Sequence, residues 1–354
     1  MRWLYVPIVA MLLSACGTAS GTSSSGSPSA AGKPQGSSAA PKPASQQVHV
    51  LWGTTTGAHT FVRVADEKGF FQQNGVSADA QYAIASTAIA ALVAGQAHFV
   101  VTGAVEAIQA MTSGAPLKMI AFNQVTNPYG LFAQPSIRGA QDLKGKTIAV
   151  GVKGDTSDIS LRMALALLGL NADRDVNTRT VGNSPARWTA LSSGQIDAAI
   201  LDEDQYAAEA KKQGMQLIVS LSQKQIPYAA GGVTVNADFA RANPDIASGI
   251  LKGLIQGGRF MQDPNNRSEA IASMAKDLKR QPDDPLVADV YAAESRKTAM
   301  HTPYALALDT ILTALRGIDS ARYASLTTDQ VIDGSFMAKL RADGFLTPAE
   351  GGGP

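Results

Sequence analysis

The sequence predicts an α/β fold of two similar lobes followed by a helical tail, and three observations carry that expectation. From Val48 onward, short apolar runs alternate with helical patterns, the signature of βαβ units and a largely parallel sheet. The stretch Ala91-Leu92-Val93-Ala94-Gly95-Gln96 returns about 100 residues later as Ala190-Leu191-Ser192-Ser193-Gly194-Gln195. Beyond Val235 the strand pattern stops and helices punctuated by proline take over.

The elements follow in order. In the first half, strands are expected at Val48–Trp52, Ser77–Tyr82, His98–Thr102 and Leu117–Phe122, with helices at His59–Phe71, Thr87–Ala94 and Ala104–Ser113. Tyr129–Ala133 reads as a further strand, and Asp142-Leu143-Lys144-Gly145-Lys146 as a turn. A second series repeats the first, with strands at Thr147–Gly151, Val176–Val181, Asp197–Leu201 and Gln216–Ser220. Its helices are Ser157–Leu168, Pro185–Ser193 and Glu203–Gln213. Both copies of the echoed stretch lead into an apolar strand, a helix, and a glycine (Gly114, Gly214) suited to a helix C-cap. Two similar lobes imply a cleft between them. Tyr228–Val235 is expected to return to the first lobe. Asn243-Pro244 then opens a helix running to about Met261, and Ser335–Ala342 is the last helix.

The composition narrows the function. The 354 residues carry 30 Lys+Arg against 29 Asp+Glu, and only 17% are charged, against ~25% in ordinary soluble domains. A balance of +1 offers no general attraction to nucleic acid. The single cysteine excludes an intrachain disulfide framework, a Cys-based zinc cage and an iron–sulfur site.

That cysteine sits where an export signal ends. Arg2 supplies a positive charge, Leu4 to Leu13 is an apolar run, and Leu13-Ser14-Ala15-Cys16 follows. The run is too short to span ~30 Å of hydrocarbon as a helix. Residues 1–15 are therefore expected to be a signal peptide. The Leu-Ser-Ala-Cys stretch resembles the bacterial lipobox, which implies a lipid on Cys16 and anchorage to a bacterial membrane, facing the periplasm or the cell exterior. Residues 17–47 hold Ser, Ala, Gly and Pro in excess, with no aromatic and no acid. The 16–47 segment is expected to be a disordered tether. Without Arg2, Lys33 and Lys42 the remaining body is left slightly acidic.

A family resemblance enters with Ala65-Asp66-Glu67-Lys68-Gly69-Phe70-Phe71, Ala91-Leu92 with Gly95, Val101-Thr102-Gly103-Ala104, and Asp142 to Lys146 leading into Ile148-Ala149-Val150-Gly151. In order and spacing these resemble the substrate-binding proteins of ABC importers, in the branch named for nitrate, sulfonate and taurine, bicarbonate and thiamine-pyrimidine ligands. The resemblance covers nearly all of 48–260. It implies the bilobal periplasmic-binding-protein fold (type II), with lobe 1 at 48–134 plus 229–354, lobe 2 at 135–228, and hinges near 132–136 and 226–232. It also implies capture of a small polar organic or anionic ligand and its delivery to an ABC permease and its ATPase by a monomeric receptor. Neither enzymatic activity nor a cofactor is expected. One alternative is a sensory receptor of the same fold. Another is a thiamine-pyrimidine synthase, a branch that relies on cysteines and histidine, and this chain has no Cys beyond residue 16.

In open parallel sheets, ligands bind outside the carboxyl ends of the strands, where helix N-termini present free N–H groups. Five such edges are legible: Thr54-Thr55-Thr56 after the first strand, Ser86-Thr87 before the second helix, and Thr102-Gly103 ending a strand. In the second series they are Asp155-Thr156-Ser157 and Asn183-Ser184, and Asp202 closes the strand Asp197–Leu201. Each is equally a helix cap. Trp52, Tyr129, Trp188 and Tyr206 are candidates for walls of the site or for the core. Asp155 and the Asp202-Glu203-Asp204 run disfavour a simple anion and favour a ligand with donor groups, whereas Arg187 points the other way. Gly145-Lys146-Thr147 lacks the first glycine of a phosphate loop and precedes a strand. The four histidines are scattered, so no metal site is expected.

Overall fold

The computed structural model describes residues 47–347 and 350. The signal segment, Cys16 and the tether up to residue 46 lie outside them. Two five-stranded sheets organise the chain. The first contains β1 (Val48–Trp52), β2 (Ala78–Tyr82), β3 (Phe99–Thr102), β4 (Leu117–Thr126) and β10 (Pro227–Asn236), in the order β2-β1-β3-β10-β4. The second contains β5 (Tyr129–Ala133), β6 (Thr147–Val150), β7 (Asn177–Thr180), β8 (Ala198–Asp202) and β9 (Gln216–Ser220), in the order β7-β6-β8-β5-β9. In each sheet four strands point the same way, while the fourth in order, β10 or β5, runs antiparallel to both neighbours. The sheets are largely parallel, as expected, and mixed through that one strand.

The helices are α1 (Thr60–Glu67), α2 (Phe70–Gln73), α3 (Ala85–Val93), α4 (Ala104–Thr112), α5 (Thr156–Leu167), α6 (Ser184–Ser192), α7 (Glu203–Lys212), α8 (Ala237–Ala242) and α9 (Pro244–Gln262). Of the tail, α10 (Arg267–Leu278), α11 (Pro285–Glu294) and α12 (Ala305–Ile318) matter below. The echoed stretches end α3 and α6, and lead into the topologically equivalent strands β3 and β8. The sequence repeat is therefore a structural repeat. No helix among the described residues is long and apolar enough to cross a membrane.

One placement differs from the sequence reading. Tyr129–Ala133 was expected to finish the first lobe, yet β5 is hydrogen-bonded between β8 and β9 of the second sheet. The reason is burial: Gly130–Ala133 are buried, as a strand with neighbours on both sides demands, and the first sheet is already filled by β10. The chain consequently changes sheets between Thr126 and Tyr129 and returns between Ser220 and Pro227. Both crossings fall earlier than the hinges expected near 132–136 and 226–232.

The first sheet buries Val50, Trp52, Phe99 and Val101 against Phe61 of α1 and Leu254 of α9. Its other face meets α4 and α12 through Ile108, Phe122, Leu308 and Ile311. In the second sheet Ile148 and Ile200 pack on Leu161 of α5, whereas Phe132 and Leu201 pack on Leu191 of α6 and Tyr206 of α7. Close packing of α9 depends on a bare stripe at Gly249, Gly253 and Gly257. A Cβ on Gly257 would overlap the carbonyl oxygen of Phe61. Gly257→Ala should therefore destabilise the fold by about 1–3 kcal/mol through overpacking, although alanine favours an isolated helix by ~1 kcal/mol. Gly317→Ala in α12, where a Cβ meets nothing within 4 Å, should stabilise by about 0.5–1 kcal/mol. Urea unfolding of the two variants checks the opposite signs.

Candidate ligand-binding site between the two sheets

The loops at the carboxyl ends of the parallel strands in one sheet touch those of the other. After β3, α4 starts at Ala104 and carries Glu106 in its first turn. After β6, α5 starts at Thr156 with Asp155 as its cap. The two helix starts meet: Thr156 Oγ1 donates to Glu106, 3.1 Å from each carboxylate oxygen. Gln109 Nε2 donates to the Gly154 carbonyl at 2.6 Å. Gly103 permits this approach, because a Cβ there would lie 3.3 Å from Thr156 Oγ1 and 3.1 Å from the Ala230 carbonyl.

A second contact joins the loop after β8 to the first sheet's helical tail. Lys297 pairs with Asp204 and lies 3.6 Å from Glu294. Carboxylate oxygens of Asp202, Asp204 and Glu294 all fall within 4.8 Å of one another. Asp202 and Glu294 are only 4% and 2% exposed. Asp202 Oδ1 and Glu294 Oε1 have no hydrogen-bond partner.

Crowded, buried carboxylates hold protons more tightly. Burial, then Asp204, pushes Asp202 up to about 7, against the opposing pull of Lys297 and the Thr56 hydroxyl. Glu294 is raised well above its usual range, mainly by burial. Glu106 is pushed up to about 7 by burial and by Asp155. Tyr129 feels the charges of Arg187, Asp202, Asp155 and Glu106 together. Burial also raises the pKa of that phenol, so it stays protonated. Arg187, the strongest potential anion ligand, is spent within its own lobe. Its guanidinium donates to the carbonyls of Ile200 (2.7 Å) and Gly182 and to Ser184 Oγ (2.9 Å).

The expected residues divide into two groups. Thr56 lies beside Asp202, with the Thr54 hydroxyl 3.0 Å from that of Thr56 and Thr55 between them. Thr102 ends β3, buried, and leads through Gly103 to the Glu106–Thr156 contact. Asp155 accepts from the backbone N–H of Val152 (2.7 Å) and Asp158 (2.9 Å) and from Ser157 Oγ, which itself accepts from Gly151 N–H. These residues gather at the junction. Ser86 and Thr87 do not cap a helix, since α3 begins at Ala85 with Ile84 in the cap position, and both are exposed. Ser86 lines a surface groove that also reaches Glu106 and Gln109. Asn183 is exposed and caps α6 through Ala186 N–H. Ser184 serves Arg187.

Of the aromatics, Trp52 is buried with the Arg63 guanidinium 5.1 Å from its ring centroid, and Trp188 stacks on Tyr206 at 5.4 Å. Glu106, Gln109, Glu294 and Lys297 escaped the sequence reading. The two α4 residues carried one faint signal, an acidic residue in a first helical turn directly after Thr102-Gly103.

Because Glu106 has a folded pKa above its unfolded value of 4.5, its contribution to stability is complete below pH ~4.5 and is lost as pH rises through about 7. Glu106→Gln keeps an acceptor for Thr156 without the charge. It should raise the melting point at pH 8, by about 1–3 kcal/mol in stability, and change little at pH 5. Melting curves at the two pH values check this.

Comparisons with known proteins agree with this architecture. A protein of Brucella abortus (strain 2308), named only as a candidate binding protein, is 34% identical over 149 residues, covering 42% of this chain and 44% of that one. The match thus spans less than half of the relative. The riboflavin-binding protein RibY of Chloroflexus aurantiacus is 22% identical over 256 residues, 71% of either chain. In structure, the periplasmic aliphatic sulphonate binding protein SsuA from Escherichia coli matches with a TM-score of 0.68 at 18% identity, over 88% of this chain and 95% of that one. At such identity the likeness is one of fold, and the expected bilobal periplasmic-binding-protein fold is the fold observed. Residues 56–267, more than half of the sequence, match the family described as NMT1/THI5 like, and the chain belongs to that family.

Proposed function

We propose that the protein is an extracytoplasmic solute-binding receptor. It captures a small polar ligand between its two sheets and delivers it to the permease of an ABC importer. The observation that carries this reading is the junction itself. Strand ends and helix starts of two repeated halves meet around a polar cluster, and the chain crosses between the halves only at 127–128 and 221–226. Two short crossings allow the halves to open and close as a hinge. Contacts such as Glu106–Thr156 and Lys297–Asp204 exist only when the halves are together, so a ligand that joins them favours closure. The chemistry expected of the site is binding. On this reading Cys16 carries a lipid that holds a monomeric receptor at the membrane surface, beside its permease.

A melting screen over sulfonates, nitrate, bicarbonate, pyrimidines and amines tests the receptor. A cleft ligand at 100 times its Kd should add about 2.7 kcal/mol of stability. Thr156→Ala, which removes the hydroxyl that joins the halves, should weaken that ligand about ten-fold while the unliganded melt changes little. A chain that melts cooperatively yet responds to no ligand class would count against capture. Separately, Cys16→Ser should move the protein from the membrane fraction to the soluble one. Tight membrane association of that variant would rule out the anchor.

A further inference from the structure

The carboxylates at the junction outnumber the cations available to them. Asp202 and Asp204 come from the second sheet's β8–α7 corner, and Glu294 from the end of α11 in the tail. Lys297 is the one ammonium within reach of this trio among the described residues, and it is engaged by Asp204. Asp202 Oδ1 remains a buried acceptor with nothing donating to it, and Glu294 Oε1 has only the Lys297 ammonium at 3.6 Å, beyond hydrogen-bond distance. Oxygens within 4.8 Å of one another are spaced so that a single donor group at ~2.8 Å reaches each. A buried acceptor without a donor is unfavourable, so such an atom ordinarily has a partner.

We propose, building on the receptor reading, that the ligand carries an organic cation, an ammonium or guanidinium group, received by Asp202 from one half and Glu294 from the other. An anionic ligand would meet Asp202, Asp204, Glu294, Glu106 and Asp155, while Arg187 is turned inward to Ile200, Gly182 and Ser184. Calcium would find only three carboxylates here, against the about 6–8 oxygen ligands that it takes. Since the two acceptors come from different halves, the cation bridges them, and closure and recognition become the same event.

The site also accounts for its own protons. Near neutral pH the unliganded trio holds protons that burial retains. When a cation R–NH3+ enters, a protonated carboxyl gives its proton to solvent and the carboxylate accepts a hydrogen bond from the ammonium. Charge and atoms balance, and binding releases protons. The groups facing Asp202 are Asp204, Glu294, Lys297, Arg187, Tyr129 and Tyr206. The arginine, the lysine and the two tyrosines keep their protons across pH 6–8, which leaves the carboxyls as the source.

The test is calorimetry and melting of the purified full-length chain with putrescine and agmatine, set against methanesulfonate, nitrate and calcium chloride. An organic cation should raise the melting point, release protons on binding, and bind about ten-fold tighter at pH 8 than at pH 6. Asp202→Asn and Glu294→Gln should each weaken it at least ten-fold and flatten the pH dependence, with Asp245→Asn on the exposed start of α9 as a neutral control. Asn and Gln keep the shape of the originals, and a cooperative melt shows that each variant is folded. A shift by methanesulfonate or nitrate that survives Asp202→Asn overturns the cation and leaves the receptor reading intact. A response to calcium alone also overturns it. Silence from every probe overturns both.

Discussion

The chain exchanges sheets twice, and after each crossing it lays down a strand that runs against its neighbours. β5 follows the first crossing and lies between β8 and β9, and β10 follows the second and lies between β3 and β4. Without β10 the strand β4 would have no partner in its sheet, and without β5 the same would hold for β9. The second sheet is one contiguous stretch, β5 to β9, whereas the first needs β10, which arrives only after that stretch. The exchange also places the two crossings side by side, and these determine which strand ends face each other. The junction at Glu106–Thr156 and at Asp204–Lys297 is a consequence of that exchange.

Much of this was legible in the sequence for a physical reason. The strands β3 and β8 are short, mostly apolar runs buried on both faces, which need no alternation to be recognised, whereas β1 alternates in burial. The internal echo at Ala91–Gln96 and Ala190–Gln195 marks equivalent α–β corners because both need the same turn at a glycine. Strand β7 was also found, although Asn177-Thr178-Arg179-Thr180 is exposed throughout. Its position in the repeat identified it where its hydrophobicity did not.

What could not be read was partnership. Tyr129–Ala133 was recognised as a strand and assigned to the wrong sheet, because nothing in Tyr-Gly-Leu-Phe-Ala says which neighbours it will have. Pairing across 70–90 residues, as between β5 and β8 or β9, leaves no local mark. The site shows the same division. Thr56, Thr102, Asp155, Thr156 and Asp202 stand at strand ends, and strand ends can be counted. Glu294 and Lys297 belong to the tail, where one acid and one base on adjacent helical turns read as a solvated pair. Only the packing of α11 against α7 reveals that Glu294 is buried.

The burial of Glu294 is also what makes the electrostatics of the junction informative. A body with nearly equal numbers of acids and bases has no need to collect carboxylates in one buried place, since surface positions would solvate them at no cost. Here Asp202, Glu294 and Glu106 are held where each is driven to keep its proton. At the same time the most deeply buried guanidinium of the second half, Arg187, is turned away to backbone carbonyls. The two choices act in the same direction: they concentrate acceptors at the junction and engage the N–H donors of Arg187 elsewhere, although its charge still acts on Asp155 and Asp202. Lys297 moderates the repulsion enough for the halves to approach, because it matches Asp204 and reaches toward Glu294. It leaves Asp202 Oδ1 without a donor and stands too far from Glu294 Oε1, at 3.6 Å, for a full hydrogen bond. A closed junction of this composition is therefore strained by its own charge until protons or a donor-bearing guest supply what one lysine does not, and that dependence couples occupancy to closure.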